Sequence, residues 1–500
     1  MPKNNQDDND SLQDEFLSEI LDTSAETTDD ADESTLEGDT PSPVAVVAPQ
    51  KVSAPEVHNR GPFGRLMEAN FLQFASYSIC DRALPTVEDG LKPVQRRILH
   101  AMWEKDDGRF SKVAGVVGNT MHYHPHGDAA IKDAIVTLAN KRYLIQGQGN
   151  FGNIFTGDEA AAARYIECRL TKLAREQLFS PKITDYVPSY DGRNKEPILL
   201  PAKIPLSLML GVDGIAVGLS TAILPHNFPE LLEAEIAILQ KKPCPTLLPD
   251  FITGGVMDAS EYNNGNGSVR VRAKIEQRDK EKNKLFITSV PYGITTDRLA
   301  ESIEKAIKTK KLPIRHIDNF TAEKVEIELS LTPGSDLEKV RKALYAFTEC
   351  ERKISSRIVV LRENRPVELS VAEMLADHAQ RLQDIFAAEF RVRLSEIDQL
   401  MMRKTLEAIF IENRIYKRIE SVKTAEGVAM EIRLGFTPFM DQIGHEITDD
   451  EIEMLLKIPI RRISLYDINR HNDEMEALRQ EHAQITDDLG HLARYAVKFL

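Results

Sequence analysis

The chain has 500 residues, too many for one hydrophobic core, so its length predicts three or four domains. A hydrophobic fraction of 42% and a charged fraction of 28% are typical of a globular protein, and no apolar run is as long as a membrane span. The four cysteines are widely separated, which argues against a zinc ribbon and a disulfide framework. The start, MPKNNQDDND, lacks the features of a signal peptide, so a cytoplasmic protein is expected.

The net charge of −15 comes mostly from the first 58 residues. This segment has 15 acidic residues against Lys3 and Lys51, and few aromatic ones, so we predict a disordered acidic tail at 1–58. The rest of the chain has 63 acidic and 61 basic residues. Charge alone therefore neither requires nor excludes a nucleic-acid partner, and a DNA site would need a local concentration of cations.

The first motif with chemical content is DRALPTVEDGLKPVQRRILHAM. Pro93 suits the first turn of a helix, where its missing N–H costs nothing. The helix would bury the face formed by Val94, Ile98, Ala101 and Met102. The basic residues around this face would suit phosphate oxygens, with a solvated basic surface as the alternative. They are Arg82, Lys92 at the start of the helix, Arg96 pointing away from the buried face, and Arg97 on its flank.

The next motif, HYHPHGDAAIKDAIVTLA, predicts a histidine pair beside a helix. Pro125 favours extended backbone before it, so His124 and His126 can lie on one side. Asp128 is a candidate cap for the following helix. Two imidazoles at a helix N-terminus could bind an anion, and the helix pair would resemble a helix-turn-helix. A zinc site is the competing interpretation, but a third ligand at suitable spacing is missing.

Two glycine- and alanine-rich stretches follow. GQGNFG matches a dinucleotide fingerprint, but NIFTGD follows where a helix should begin, so we interpret it as a turn. The sequence contains no G-K-[ST] and hence no Walker-type phosphate loop. EAAAARYIECRL has the composition of a helix, in which Tyr165 would be a core aromatic. The alternative is that the Tyr165 hydroxyl is a nucleophile.

The second half changes from a mixed pattern to a purely helical one. KLFITSV and SRIVVL resemble strands, and TDRLAESIEKAIKT resembles a helix. Residues 367–426 contain no Gly or Pro, and 460–489 form a second such run. Apolar residues recur in both at helical spacing, including Phe390 to Met401 and on to Ile411, Ile415 and Ile419. This pattern predicts an antiparallel coiled coil with an apolar tip, and a compact helical bundle is the alternative.

Eight motifs in a fixed order carry a resemblance to a known family. They are DRALP, DGLKPVQRR, YHPHGD, GQGNFG, AAAARYIE, PAKIP, GIAVGLST and PHN. Together they closely resemble the A subunits of the bacterial type IIA DNA topoisomerases, DNA gyrase and topoisomerase IV. The resemblance covers about residues 60–500, and DRALP followed by KPVQRR is nearer to topoisomerase IV.

The resemblance implies an α+β multidomain fold. Residues 59–195 would form a winged-helix breakage–reunion domain, the DNA gate, which carries the catalytic tyrosine. Residues 196–365 would form an α/β tower domain. Residues 366–500 would form a long antiparallel coiled coil with a small helical dimerisation tip, the C-gate.

The resemblance also assigns functional residues. Tyr165 matches the nucleophile that forms a 5′-phosphotyrosyl bond, and Arg164 matches the residue that stabilises the transition state. Ile215 matches the apolar wedge that bends the gate DNA. Ala129 and Asp133 match the positions of a serine and an acid that bind quinolones, so Ala129 predicts reduced sensitivity. The DNA-contacting positions are Arg82, Lys92, Arg96, Arg97, His124 and His126.

In this family, ATP binds to a separate B subunit, whose carboxylates also hold most of the Mg²⁺, so no metal site is expected here. The expected partners are double-stranded DNA, the B subunit in an A2B2 heterotetramer, and a second copy of this chain through the C-gate. No membrane partner is expected, and the protein would act in the cytoplasm at the nucleoid.

Two departures leave other interpretations open. VGNTMHYHPHGD is one residue shorter than the usual pattern, and His122 stands where Gly is common. The sequence has no room for the β-rich DNA-wrapping domain of gyrase after HLARYAVKFL, which favours relaxation or decatenation over negative supercoiling. The alternatives are a truncated gyrase A subunit and a catalytically silent DNA-binding coiled-coil dimer.

Overall fold

The structure is a computed structural model that describes residues 62–278, 281, 283–459 and 468–500. The chain divides into two units, Met1–Pro62 and Phe63–Leu500, and the second holds almost all of the described residues. The predicted acidic tail at 1–58 lies outside them. In the described part of the chain, no helix is both long and apolar enough to cross a membrane.

Helices and short strands alternate up to residue 368, and the described chain beyond it contains helices joined by turns and no strands. The helices are α1 (Pro62–Ser78), α2 (Pro93–Glu104), α3 (Val113–Thr120), α4 (Asp128–Asn140), α5 (Lys172–Leu178), α6 (Leu206–Leu210), α7 (Phe228–Leu239), α8 (Thr296–Lys308), α9 (Leu337–Phe347), α10 (Val371–Glu412), α11 (Ala425–Phe436), α12 (Met440–Ile443), α13 (Asp449–Leu456), α14 (Ile468–Gly490) and α15 (Leu492–Phe499).

The strands form small antiparallel sheets. They are β1 (Ser111–Lys112), β2 (Ile145–Gln148), β3 (Glu167–Leu170), β4 (Tyr186–Pro188), β5 (Lys195–Pro197), β6 (Val212–Ala216), β7 (Leu219–Ile223), β8 (Val256–Asp258), β9 (Ser268–Arg272), β10 (Ile275–Glu276), β11 (Lys284–Ile287), β12 (Ile314–Asn319), β13 (Ile327–Leu331), β14 (Glu351–Ser355), β15 (Val359–Arg362) and β16 (Arg365–Glu368).

The first core joins α2, α3 and α4 to a three-stranded sheet of order β1-β3-β2. Helix α2 begins at Pro93, as predicted, and the Gln95 side chain accepts a hydrogen bond from the Lys92 N–H at 3.0 Å. Helix α4 buries Ile131, Ile135 and Leu138 at helical spacing, so its opposite face is exposed.

A second core contains the four-stranded sheet β10-β11-β13-β12 with α8 and α9. The predicted strand in KLFITSV is β11, and the predicted helix in TDRLAESIEKAIKT is α8. Thr295 caps α8, because its hydroxyl accepts a hydrogen bond from the Arg298 N–H at 3.3 Å. One face of this helix is buried in the second core, and it carries Leu299, Ile303 and Ala306.

The longest helix, α10, has 42 residues and ends well before Gly427. The expectation of one continuous apolar stripe through Ile411, Ile415 and Ile419 is therefore wrong. Arg414 adopts a left-handed conformation at φ 53°, and a 3-10 turn follows at Ile415–Lys417. The chain turns here because Ile415 is buried in a separate core with Ile432 and Phe436.

Helices α10 and α14 run antiparallel along each other. Arg393 binds Glu481 at 2.7 Å, His482 lies 3.4 Å from Asp398, and Lys404 binds Glu474. Between the first and the last of these pairs the position advances from 393 to 404 in α10 and goes back from 481 to 474 in α14, as antiparallel helices require. Helix α15 packs against the first half of α10, where the ring centres of Tyr495 and Phe386 lie 4.9 Å apart.

Candidate active site

Tyr165 lies in an irregular loop, residues 149–166, between β2 and β3. The helical interpretation of EAAAARYIECRL is wrong, because residues 159–166 contain no helix and 167–170 form β3. The Tyr165 side chain is 64% exposed, which excludes a core role. The guanidinium carbon of Arg164 lies 4.5 Å from the centre of the Tyr165 ring. A permanent cation thus lies beside an accessible phenol.

The end of this loop is attached to the start of α3. The Ala163 carbonyl accepts a hydrogen bond from the Ala114 N–H at 3.1 Å, and the Ile166 carbonyl accepts one from Val113 at 3.0 Å. Both N–H groups belong to the first turn of α3, where helix donors have no partner within the helix. The loop therefore satisfies these donors, and the helix end fixes the backbone on both sides of Tyr165.

The middle of the loop is attached to the second core. Phe155 packs against the apolar residues of that core, and its carbonyl accepts a hydrogen bond from the Thr296 N–H at 2.8 Å. Gly157 has φ +88°, and a β-carbon there would lie 2.9 Å from Thr295 Cγ2. Only glycine allows this approach to the N-terminus of α8.

His124 and His126 lie together, as predicted, with ring centres 4.5 Å apart. The Arg97 guanidinium lies 3.1 Å from Nδ1 of His124 and binds Glu196 at 2.5 Å. Nε2 of His126 is hydrogen-bonded to the Tyr77 hydroxyl. The pair is therefore enclosed between a guanidinium and a phenol.

Burial and nearby cations lower the pKa of both imidazoles. Burial, with additional repulsion from His126 and Arg97, lowers the pKa of His124 to about 4. Burial and then the charges of Arg82 and Arg97 lower the pKa of His126. At neutral pH these side chains are hydrogen-bonding groups rather than cations, so the expected anion site depends on the arginines.

The expectation that Arg96 faces outward is wrong. Its side chain is buried and binds the carboxylate of Asp89 through Nε at 2.6 Å and Nη2 at 2.9 Å. Arg96 cannot reach a DNA phosphate from this position. Arg97 is partly buried and already paired with Glu196, whereas Arg82 is exposed.

Two lysines hold the hairpin that carries Ile215. Lys92 donates a hydrogen bond to the Asp213 carbonyl, and Lys141 donates to Leu210 and, at 3.3 Å, to Gly211. Burial lowers the pKa of each amine. Ile215, in β6, is 86% exposed. A β-branched apolar side chain is thus presented to solvent on an anchored hairpin.

Helix α4 carries the two residues that were predicted to lie at the quinolone-binding positions. Ala129 and Asp133 lie one turn apart on its exposed face. Gly127, not Asp128, precedes the helix as its N-cap, so the prediction that Asp128 caps the helix is wrong. Asp128 is the first helical residue, where its negative charge interacts favourably with the helix dipole.

Seven of the eleven predicted site residues form three groups. His124, His126 and Arg97 form one, Arg164 and Tyr165 a second, and the Ile215 hairpin with Lys92 a third. In the described residues, no hydrogen bond or ion pair joins Tyr165 to the histidine pair. The same residues contain no cluster of three or more His, Cys, Asp or Glu side chains that could hold a metal ion.

Sequence reasoning missed Tyr77, Glu196 and Lys141. Tyr77 precedes the first recognised motif by four residues, and Glu196 is 99 residues from Arg97. No local pattern connects such positions. Lys141 follows directly after α4, where a lysine is ordinarily interpreted as a favourable charge at a helix end.

Comparison with known proteins identifies relatives over most of the chain. Residues 82–498 match a family described as the A subunit of DNA gyrase and topoisomerase IV. The DNA topoisomerase 4 A subunit of Borreliella burgdorferi is 46% identical over 435 residues, which are 87% of this chain and 69% of that protein. The DNA gyrase A subunit of Clostridium acetobutylicum is 31% identical over 450 residues, covering 84% of this chain and 53% of that protein. The DNA topoisomerase 4 A subunit of Rickettsia conorii is 32% identical over 474 residues, which cover 87% of this chain and 62% of that protein.

Proposed function

The chain belongs to the family of DNA gyrase and topoisomerase IV A subunits, and we propose that it is the DNA-cleaving subunit of a type II topoisomerase. It would break both strands of one duplex, let a second duplex pass, and reseal the break. Identity is higher to the topoisomerase 4 protein of Borreliella burgdorferi than to the gyrase protein of Clostridium acetobutylicum. This supports relaxation or decatenation as the reaction.

The observation that carries the proposal is the accessible Tyr165 with Arg164 against its ring. The phenolic oxygen would attack a DNA phosphorus, form an O–P bond and displace the 3′ oxygen. The phenol loses a proton, the 3′ hydroxyl gains one, and the 5′ end becomes a phosphotyrosyl ester. A phenol has a pKa of about 10 and is a weak nucleophile unless charge is stabilised, which is the role we propose for Arg164.

The ester keeps the energy of the broken bond, so attack by the 3′ hydroxyl reverses the reaction without a cofactor. ATP, bound to the separate B subunit, would drive conformational steps, and Mg²⁺ would be held mainly by carboxylates of that protein. Two copies of this chain and two B subunits would then form the active enzyme. Each copy of this chain would supply one tyrosine, which gives one nucleophile for each DNA strand.

The fold supports an assignment of parts. Helices α2 to α4 with the sheet β1-β3-β2 suit a winged-helix DNA gate, with α4 facing the groove. The second core suits the tower, and α10 with α14 suits the coiled coil. At the far end of α10, Met430 and Leu434 of α11 are 63% and 46% exposed. Large apolar side chains on one exposed helix face suit the dimerising C-gate.

The DNA contacts divide by type. We propose that Arg82 neutralises phosphate charge, and that His124 and His126 donate hydrogen bonds to phosphate oxygens. Lys92 would contact the backbone beside the hairpin it supports. Ile215 would insert between base pairs and bend the duplex, as apolar wedges do in other DNA-bending proteins.

Quinolone binding would differ from that of relatives with a serine in α4. The methyl group of Ala129 cannot accept a hydrogen bond from the water around a drug-bound metal ion, whereas Asp133 can. We expect Ala129→Ser to lower the drug concentration that traps cleaved DNA. An unchanged concentration would exclude this role for the position.

The decisive experiment compares wild type with Tyr165→Phe, each mixed with the B subunit, Mg²⁺ and plasmid DNA and then denatured with detergent. The wild type should give covalent protein–DNA adducts. The phenylalanine variant should bind DNA as before and give none, because it lacks only the attacking oxygen. Adducts from the variant would exclude Tyr165 as nucleophile, and none from the wild type would favour the silent DNA-binding dimer.

A further inference from the structure

A continuous chain of side chains runs through the histidine pair. The Tyr77 hydroxyl, near the end of α1, is hydrogen-bonded to Nε2 of His126, with ring centres 6.0 Å apart. The His126 ring lies 4.5 Å from the His124 ring, and Nδ1 of His124 lies 3.1 Å from Nη1 of Arg97. Glu196 holds the other edge of the Arg97 guanidinium.

The two ends of this chain determine where the imidazole protons lie. A guanidinium has donors only, so Nδ1 of His124 accepts from Arg97 and its proton is on Nε2. A phenol can donate or accept a hydrogen bond, and a Tyr77 O–H that donates to Nε2 of His126 leaves the proton of that ring on Nδ1. Each ring then offers one N–H.

The surrounding charges oppose a second proton on His126. Arg82 and Arg97 both act on it, and His124 lies against its ring. Burial and then the charge of Asp81 raise the pKa of Tyr77, whereas Arg82 and Arg97 lower it. Two cations therefore face a ring whose accepting nitrogen is already occupied by a hydroxyl.

We propose that Tyr77 is a positioning residue that holds His126 as a neutral imidazole with a single N–H directed at the DNA backbone. The proposal rests on the proposed function, because it assigns the histidine pair to phosphate oxygens of the cleaved duplex. The arginines supply the positive charge, and the histidines supply oriented donors. A third cation between Arg82 and Arg97 would be repelled and would turn the ring out of place.

The first test measures covalent adduct yield from about pH 5.5 to about pH 8.5, a range that brackets the ordinary histidine pKa of about 6.5. The wild type should give a nearly constant yield. Tyr77→Phe removes only the hydroxyl, so His126 can accept a proton, and we expect about a tenfold loss at the acid end. DNA binding before cleavage should stay the same or tighten there, because a new cation attracts DNA.

Tyr190→Phe is the matched control. Tyr190 is 59% exposed in the same part of the fold, and its hydroxyl lies 3.4 Å from the Met121 carbonyl rather than against either histidine. It should keep the wild-type profile. The double variant Tyr77→Phe, His126→Gln should lose the acid decline, because glutamine offers an N–H and does not titrate.

Identical pH profiles for wild type, Tyr77→Phe and Tyr190→Phe would overturn the proposal. A second measurement does not depend on cleavage. In protein labelled with ¹⁵N-histidine, the His126 signals, assigned by their absence in His126→Gln, should report a neutral ring protonated on Nδ1. Tyr77→Phe should raise the pKa at which they titrate. If the wild type forms no adduct, the proposed function fails, and this spectrum still tests the role of Tyr77.

Discussion

Arg96 and Asp89 form a buried ion pair with two hydrogen bonds, at 2.6 and 2.9 Å, beneath the proposed DNA-binding surface. Asp89 also accepts hydrogen bonds from Thr86 and from the Leu91 and Leu200 N–H groups. Burial raises the pKa of this carboxyl, but Arg96 and the hydrogen bonds outweigh burial and hold it below the ordinary value. Asp89 and Arg96, both in the motif DGLKPVQRR, thus join the turn before α2 to the helix itself.

We therefore predict that Arg96→Met lowers the free energy of unfolding by about 3–5 kcal/mol, because it leaves a buried carboxylate without its partner. The control, Arg82→Met, changes an exposed cation and should alter stability by less than about 0.5 kcal/mol while weakening DNA binding. Denaturant unfolding and DNA binding at matched salt measure the two effects. Equal stability of both variants would contradict the structural role of Arg96.

The same pair predicts how stability depends on pH. Asp89 has a lower pKa in the folded protein than in the unfolded chain, so its contribution is fully present above the unfolded value of about 3.9. It is lost as pH falls through the lower, folded value. Wild type should therefore lose stability in that acid range, and Asp89→Asn should be less stable at neutral pH with a weaker acid dependence. Parallel curves for the two proteins would contradict this.

Phe155 provides the third prediction, because it attaches the Tyr165 loop to the second core. Phe155→Ala should lower the rate of adduct formation by about 10- to 100-fold, since a displacement of about 1 Å at a reacting group can cost that much. Phe347→Ala, at a phenylalanine that is 50% exposed on α9, is the control. Adducts are counted by rapid quenching, and DNA affinity should not change. Equal rates for the two variants would show that the loop is positioned by α3 alone.

The sequence predicted regular elements far better than connections between them. Helix α8 has a threonine cap and an apolar stripe, both of which are local signals. The loop around Tyr165 has the composition of a helix, yet its backbone follows the donors at the start of α3 and the contact of Phe155 with a distant sheet. These partners lie about 50 and more than 100 residues away, so helix propensity was overridden by tertiary contacts.

The site shows the same division. The i, i+2 spacing correctly predicted that His124 and His126 lie together, but a tight turn rather than extended backbone brings them close, because the His126 N–H donates a hydrogen bond to the His124 carbonyl at 2.9 Å. The outward direction of Arg96 was wrong, because helical periodicity gives a face but not the position of a buried acid such as Asp89. The motif resemblance identified Lys92 and Ile215 as separate DNA contacts. It did not predict that Lys92 donates a hydrogen bond to the carbonyl of Asp213, two residues before Ile215.

The exposed apolar face of α11 gives the fourth prediction. Met430 and Leu434 are four residues apart and therefore lie on one side of the helix. If this face is the C-gate, Met430→Asp with Leu434→Asp should raise the dimer dissociation constant by at least about tenfold, since each introduces a charge into an apolar contact. Leu400→Asp, at an exposed position on α10, is the control. Sedimentation at several concentrations measures the effect, and an unchanged dimer would place the contact elsewhere.

The last prediction concerns Ile215, whose 86% exposure means that the folded chain gains little from its side chain. Ile215→Ala should therefore change the free energy of unfolding by less than about 0.5 kcal/mol. The hairpin should stay in place, because Lys92 and Lys141 hold backbone carbonyls and Gly214 lies where a β-carbon would be 2.2 Å from the Ala83 carbonyl.

DNA should respond to this substitution far more than the protein does. A wedge stabilises a kinked duplex by replacing lost base stacking, and alanine is too short to do so. We expect a smaller bend in a duplex of about 30 base pairs, measured by energy transfer between its ends, together with about tenfold fewer adducts. Ile198→Ala, at a residue that is 50% exposed, is the control and should leave both unchanged. A full bend with Ile215→Ala would mean that cations around the duplex, not this side chain, deform the DNA.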